Sequence, residues 1–342
     1  MRDLTDYIRM TVIGASMALT LPASAVIIVP SYTTALSSQG NAATIESAIA
    51  TAIAAVDALY SNPGSIQVLF DYNAGLGNGG GSSDATDTLS YSIYRNALAS
   101  DSAANPTNTI LATAVASLPA ANNPPASAAN GVEVSTTLEK LVLNISGITP
   151  CFDSSGVFHG GCHQAYDSVV SLGNLNYSGT GAGNNSQGVT VLEHELNEVL
   201  GGGGQGTTLN QIVTNVLGPM DLYRYHSATS TCAGITTTRS YTTSSGEIAC
   251  HSIDGGQTSV VQLNQAGGGS DFGDFFNLVA GPKFIQDAFT NSSDVIPVYT
   301  MASPEYTVLA SIGYNSAPEP GTITVLAGAL SGLFLLRRRQ RG

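Results

Sequence analysis

The sequence predicts one α+β domain over residues 26–316, and three observations predict it. Apolar residues recur at helical spacing in several stretches, whereas 65–72 (SIQVLFDY) and 169–177 (VVSLGNLNY) read as short strands. The roughly 290 residues of this stretch suit one large domain or two small ones and show no internal repeat, and the apolar fraction of the whole chain, 43%, is ample for a core. An amphipathic helix over 189–200 (VTVLEHELNEVL) needs an apolar layer beneath it, and a mixed sheet is the expected partner.

The elements follow in chain order. Residues 1–25 carry Arg2 and Arg9, an apolar run over 10–21 and Ala23-Ser24-Ala25, the pattern of a cleaved signal peptide, so the mature chain is expected to begin near Val26. The run is too short to span a hydrocarbon core of roughly 30 Å, which argues against a transmembrane anchor. Residues 42–59 read as an Ala-rich helix stopped by Asn62-Pro63-Gly64, 65–72 as a buried strand, and 75–86 as a Gly/Ser/Asn loop. Helices are expected near 91–99 and 108–118, then a Pro/Ala/Asn surface loop at 119–130 and a further helix at 134–143. The strand at 169–177 leads through a polar loop at 178–187 into helix 189–200, which the glycines at 201–204 end by tolerating left-handed geometry.

Twenty-four acidic residues against eleven basic ones give a net charge of -13, so nucleic acid is excluded as a partner: too few cations are present to displace counterions. Cys151, Cys162, Cys232 and Cys250 form two local pairs, and in an oxidising compartment the simplest of the three connectivities is 151 to 162 and 232 to 250. The run His159-Gly-Gly-Cys162-His163 is also a plausible metal-ligand cluster, to be set against a disulfide-closed loop.

Helix 189–200 carries the chemistry. At about 100° per residue, Val189, Leu192, Leu196, Val199 and Leu200 share one face. His194 and Glu198 sit on the opposite side, one turn apart, so their donor atoms can converge on one zinc ion. Glu195 points to the side of that ion, where it can act as general base toward water and pass the proton to a leaving amine. This is the logic of H-E-x-x-H with glutamate as the second ligand, and the extra negative charge makes a metal-bound water less acidic. The alternative is that the same residues are merely the solvated side of an amphipathic helix. No Ser/His/Asp or Cys/His nucleophile arrangement competes.

The C-terminal residues are more specific. Pro318-Glu319-Pro320, an uncharged apolar stretch over 322–336 and Arg337-Arg338-Arg339 closely resemble the PEP-CTERM sorting signal. That resemblance implies processing by an exosortase, membrane anchorage of the tail before processing, export of the body of the chain to the envelope or beyond, and a Gram-negative producer of extracellular polysaccharide. The body in turn resembles the PEP-CTERM metalloproteases of metzincin-like character. The matching segments are HELNEVLGG at 194–202, MDLYRY at 220–225, HSIDGGQT at 251–258, DFGDF at 271–275 and MASPEYTVLASIGY at 301–314, with IQVLFDYN and YSIYRNAL upstream. The resemblance implies a metzincin-like single domain at 26–316 with a mixed sheet and an active-site helix, between a signal peptide at 1–25 and a sorting segment at 317–342. It implies His194 and Glu198 as zinc ligands, Glu195 as base, a zinc site in the cleft between two halves of the domain, and hydrolysis of a protein or peptide substrate.

Two positions depart from the family. Its arginine after the glycine is Gly202 here, and the metzincin position of a third histidine is Gly204, so a third ligand must come from elsewhere. Asp221 is the first candidate because it follows a Gly-Pro turn, with turn capping as its other reading; His226 and His251 are weaker candidates. Tyr223 or Tyr225 can polarise a scissile carbonyl, or simply pack in the core. The segment 252–256 reads as a tight hairpin turn and not a calcium loop. A rival reading is a non-catalytic envelope or exopolysaccharide-matrix protein on the same fold, since an acidic surface rich in Gly, Ser, Thr and Asn suits contact with polysaccharide.

Overall fold

The structure, a computed structural model, describes residues 26–144, 151–159, 166–178, 187–209, 215–265, 271–276, 282–288 and 296–317. The expected signal peptide at 1–25, the expected sorting segment from residue 318 onward, Cys162 and His163 lie outside them. No helix among the described residues is long and apolar enough to cross a membrane.

Strands β1 (Val26–Tyr32) and β2 (Gly64–Tyr72) are apolar at their inward positions and pair in parallel, Val26 opposite Gly64. Between them runs helix α1 (Ala42–Asp57), whose Ile45, Ala48, Ile49, Ala52, Ile53 and Val56 form one buried stripe at helical spacing. Strand β3 (Gly80–Asp84) follows, then β4 (Thr86–Leu89), helix α2 (Tyr91–Ala104, capped by Ser90) and helix α3 (Thr109–Ser117, capped by Asn108). The expected loop at 75–86 therefore contains all of strand β3 and the first residue of β4. β3 (GGSSD) has little intrinsic strand preference, and its conformation comes from pairing antiparallel with a partner far along the chain.

The expected helix at 134–143 is present from Thr136 on, with a later start and a different winding. Val132 and Val134 belong to β5 (Gly131–Ser135), which pairs with β4, and only after Ser135 caps the chain do a single α turn at Thr136–Leu138 and a π turn at Glu139–Leu143 form. β6 (Cys151–Phe152) and β7 (Phe158–His159) make a small ribbon. β8 (Ser168–Leu172) is shorter than the 169–177 expected, since the chain leaves the sheet at Gly173. Helix α4 (Gln187–Val199) then carries the H-E-x-x-E segment.

The main sheet has the order β1-β2-β8-β3, with three parallel strands and the antiparallel β3 at its edge. It is the mixed sheet expected. α4 packs on α1 and beside β3, with Val189, Leu192, Leu196, Val199 and Leu200 all fully buried. β9 (Val216–Leu217) joins β4 and β5. A second, antiparallel sheet is built from β10 (Arg224–Ser227), β11 (Ile235–Arg239), β12 (Ala249–His251) and β13 (Val261–Leu263), in the order β11-β10-β12-β13. Helix α5 (Pro304–Ser311) closes the described chain within the expected 301–314 segment.

Cys232 and Cys250 form the expected disulfide. Cys151 is also disulfide-bonded, and its expected partner Cys162 lies outside the described residues. The turn joining β12 to β13 is organised by Asp254, which accepts from the N–H groups of Gln257 and Thr258 and from the Ser252 hydroxyl, with Gly255 and Gly256 at positive φ. The expectation of a tight hairpin turn over 252–256 is corrected in length: with His251 opposite Val261, the connection runs over 252–260, and the Asp254 bonds form a turn within it.

Candidate metal centre

α4 is amphipathic by sequence, yet both of its sides are buried. Glu195 and Glu198 are 4% and 5% exposed, and the His194 side chain 17%, so the solvated-face alternative does not describe this helix. Burying that many ionisable groups is costly unless each meets a partner of opposite charge or a hydrogen bond.

His194, Glu198 and Asp274 form one group whose ligand atoms all lie within 4.8 Å of one another and which can hold a metal ion. His194 Nε2 is 3.6 Å from Glu198 Oε1 and 3.7 Å from Asp274 Oδ1. Donors bound tetrahedrally at roughly 2.1 Å from zinc stand about 3.4 Å apart, close to the two spacings that His194 makes. The other ring nitrogen, Nδ1, donates to the Ile285 carbonyl at 2.9 Å, which leaves the lone pair of the neutral ring on Nε2, the atom that faces the two carboxylates and lies 3.1 Å from the Gln286 amide nitrogen. Glu198 is held at both oxygens: Ser82 Oγ of β3 donates to Oε2 at 2.6 Å, and the Gly204 N–H donates to Oε1 at 3.0 Å.

The third donor is thus Asp274, in the DFGDF segment, and not Asp221. Asp221 is fully buried, with its carboxylate bonded to the Thr207 hydroxyl at 2.6 Å and to the N–H groups of Thr208 and Gly218 at 2.8 and 2.9 Å. It caps the turn, the other role its Gly-Pro context allowed. His226 sits 3.3 Å from Glu247, away from the group. His251 is fully buried against Tyr223, its pKa pulled down to about 3 by burial and by Arg224. Tyr223 and Tyr225 are core residues, the latter beneath the Arg239 guanidinium at 4.8 Å. His159 pairs with Asp153 at 2.9 Å on the exposed ribbon.

Glycines decide how Asp274 arrives. A side chain at Gly204 would run into the carboxylates of Asp271 and Glu198, and one at Gly273 into the Gly203 carbonyl. The 271–274 turn therefore lies backbone to backbone on the 203–204 turn that follows α4. Asn264 anchors it from β13, donating through its N–H to the Asp274 carbonyl at 2.7 Å and through its side chain to the Asp271 carbonyl at 3.1 Å. The third member of the group is thus a carboxylate from a distant segment. Two acidic residues three apart around a glycine were the available signal for it in the sequence.

The electrostatics favour a cation. Burial pushes Asp274 up to about 7, with His194 opposing and Glu198 adding to the rise. Burial and the Glu198 charge hold Glu195 well above the ordinary carboxylate range, and the same two causes raise Asp271. Burial would lower His194, but Glu198, Asp274 and Glu195 together hold it well above its usual value. Glu198 is also penalised by burial, yet the bonds from His194, Ser82 and Gly204 bring it below its usual value. Four carboxylates thus surround one imidazole, and a field that draws a proton to Nε2 draws a cation to the same point. Glu195 Oε2 has no hydrogen-bond partner among the described residues, and Oε1 lies so close to β3 that a Cβ at Gly80 would stand 2.6 Å from it. No family model, curated protein or solved structure matches this chain.

Proposed function

We propose that the chain is an exported zinc-dependent metallopeptidase of metzincin-like character. The observation that carries this reading is the convergence of His194 Nε2, Glu198 and Asp274, with the buried carboxylate of Glu195 beside them. One nitrogen and two oxygen donors at these spacings suit zinc, which when held there supplies Lewis-acid activation of water and of a carbonyl. His194 is fixed by Ile285, Glu198 by Ser82 and Gly204, and Asp274 by its turn, so the donors are in place before any ion arrives. Glu195 is the base: a cation held beside it would oppose the rise that burial and Glu198 cause, and its Oε2, which has no hydrogen-bond partner among the described residues, accepts a proton from water and returns it to the leaving amine. A peptide is the substrate class supported by the setting, because β3 is an edge strand beside the site, and an extended chain can pair with such an edge.

On this reading residues 1–25 direct export, residues 317–342 pass through an exosortase-type machinery with the tail briefly membrane-anchored, and the released body works in the envelope or extracellular polysaccharide. The test is metal analysis of the purified chain together with cleavage of casein or a peptide library by wild type and by Glu195→Gln. Stoichiometric zinc with cleavage that the substitution abolishes supports the enzyme. Failure to cleave any peptide, or cleavage indifferent to Glu195, overturns it in favour of a non-catalytic envelope or matrix protein.

A further inference from the structure

We propose that Gln286 is a positioning residue for the metal group, its amide braced through Asn197, Tyr299 and Tyr60; the proposal rests on the metal-binding reading above. Gln286 is fully buried and its backbone is fixed on both sides. Its N–H donates to Glu305 Oε1 at 3.1 Å, and its carbonyl accepts from Phe275 N–H at 2.8 Å. The side-chain amide therefore enters the site from a segment that can slide little.

That amide touches two members of the group at once. Nε2 donates to Asp274 Oδ1 at 3.0 Å and lies 3.1 Å from His194 Nε2, while Oε1 accepts from Asn197 Nδ2 at 2.8 Å. Asn197 Oδ1 accepts from the Tyr299 hydroxyl at 3.0 Å. Having given its one proton to Asn197, Tyr299 must accept in its 2.6 Å contact with Tyr60, so Tyr60 is the donor there. Each link has one permitted polarity. Turning the Gln286 amide over would set an oxygen against the Asp274 carboxylate and an NH₂ against the Asn197 NH₂, leaving both contacts repulsive.

The consequence is that the Asp274 carboxylate, which can only accept, sets which atom of Gln286 faces the metal group, and Asn197 with the two tyrosine hydroxyls in the core holds that orientation by following the same polarity. Asn197 belongs to the same helix as His194 and Glu198, immediately before the latter. The relay thus ties Asp274, which comes from a distant turn, to the helix that supplies the other two ligands. Gln286 holds Asp274 Oδ1 in register with His194 Nε2, and the chain Tyr60-Tyr299-Asn197 holds Gln286.

The experiment uses the full chain as wild type, Gln286→Leu and Tyr299→Phe. Zinc affinity is measured by competition with a chromophoric chelator, the visible absorption of the cobalt-loaded protein reports ligand geometry, and circular dichroism with a thermal melt reports folding. Gln286→Leu is expected to weaken zinc binding by about ten- to a hundredfold and to change the cobalt spectrum. Tyr299→Phe, which removes one hydroxyl and almost no volume, is expected to weaken it by a smaller factor and shift the spectrum in the same sense. Should Gln286→Leu fail to fold, Tyr299→Phe carries the test. Folded variants with wild-type affinity and an unaltered cobalt spectrum overturn the positioning role alone. A wild-type chain that takes up neither zinc nor cobalt overturns the metal-binding reading, and this role with it.

Discussion

Among the residues of the centre, Glu195 and Asp274 have separable jobs. On the proposed reading Glu195, buried with one oxygen lacking a hydrogen-bond partner among the described residues, is not needed to hold the ion, so Glu195→Gln should retain zinc and lose about 10²–10⁴ in kcat/KM. Asp274→Ala removes a donor and leaves His194 and Glu198 alone, and zinc affinity should fall by at least about a hundredfold, measured by equilibrium dialysis. Protons and zinc compete for His194 Nε2. Because the surrounding carboxylates raise the His194 pKa, the proton is the stronger competitor at low pH, and apparent zinc affinity should climb as pH is raised through neutrality. A titration at successive pH values that shows no such climb would remove His194 from the ligand set. Asp221→Asn, by contrast, should leave zinc binding near wild type, because that carboxylate is spent on Thr207, Thr208 and Gly218.

At the scale of elements, the turn after α4 and the 271–274 turn depend on two backbones meeting. Gly273→Ala drives a methyl group into the Gly203 carbonyl, where neither backbone has room to give, and should cost upwards of about 3 kcal/mol in denaturant unfolding. Gly204→Ala meets only carboxylate ends, so it should cost less stability while displacing Asp271 and Glu198 and weakening zinc. The π turn at Glu139–Leu143 offers a test of pH dependence away from the site. Burial, with Asp87 nearby, pushes Glu139 from 4.5 to about 7. The folded state therefore binds this proton more tightly than the unfolded state does. Its contribution is fully present below the unfolded pKa and is lost as pH rises through about 7. Glu139→Gln should accordingly raise the thermal midpoint at pH 8 and change it little at pH 4.

For the whole molecule, the centre and the disulfide act on stability in different ways. An ion that binds only the folded state adds about 2.7 kcal/mol at a hundred times its dissociation constant, so zinc should raise the melting temperature and a chelator should reverse the rise. The Cys232–Cys250 link closes a loop with a sequence separation of 18 residues, and replacing both by alanine should cost about 3 kcal/mol in the chain-entropy picture, read from the denaturant midpoint. This loop lies in the antiparallel second sheet, apart from the metal group, so the loss should leave zinc stoichiometry unchanged.

Periodicity within the chain was enough to place α1 and α4 and the buried face of each, and the i, i+4 spacing of His194 and Glu198 was enough to pair them. The Cys232–Cys250 pairing and the turn at Asp254 were legible for the same reason: each is settled over a few residues. β3 was not legible, since Gly80-Gly81-Ser82-Ser83 is a strand only because β8 pairs with it. Nor was Asp274, whose place beside His194 depends on Gly203, Gly204 and Gly273 letting two remote turns touch. The sequence by itself determined the angles within each element, because those are set by backbone geometry repeating from one residue to the next. Only the tertiary structure decided which distant carboxylate completes the group, because the approach of two segments depends on the volume and hydrogen bonds of everything packed between them.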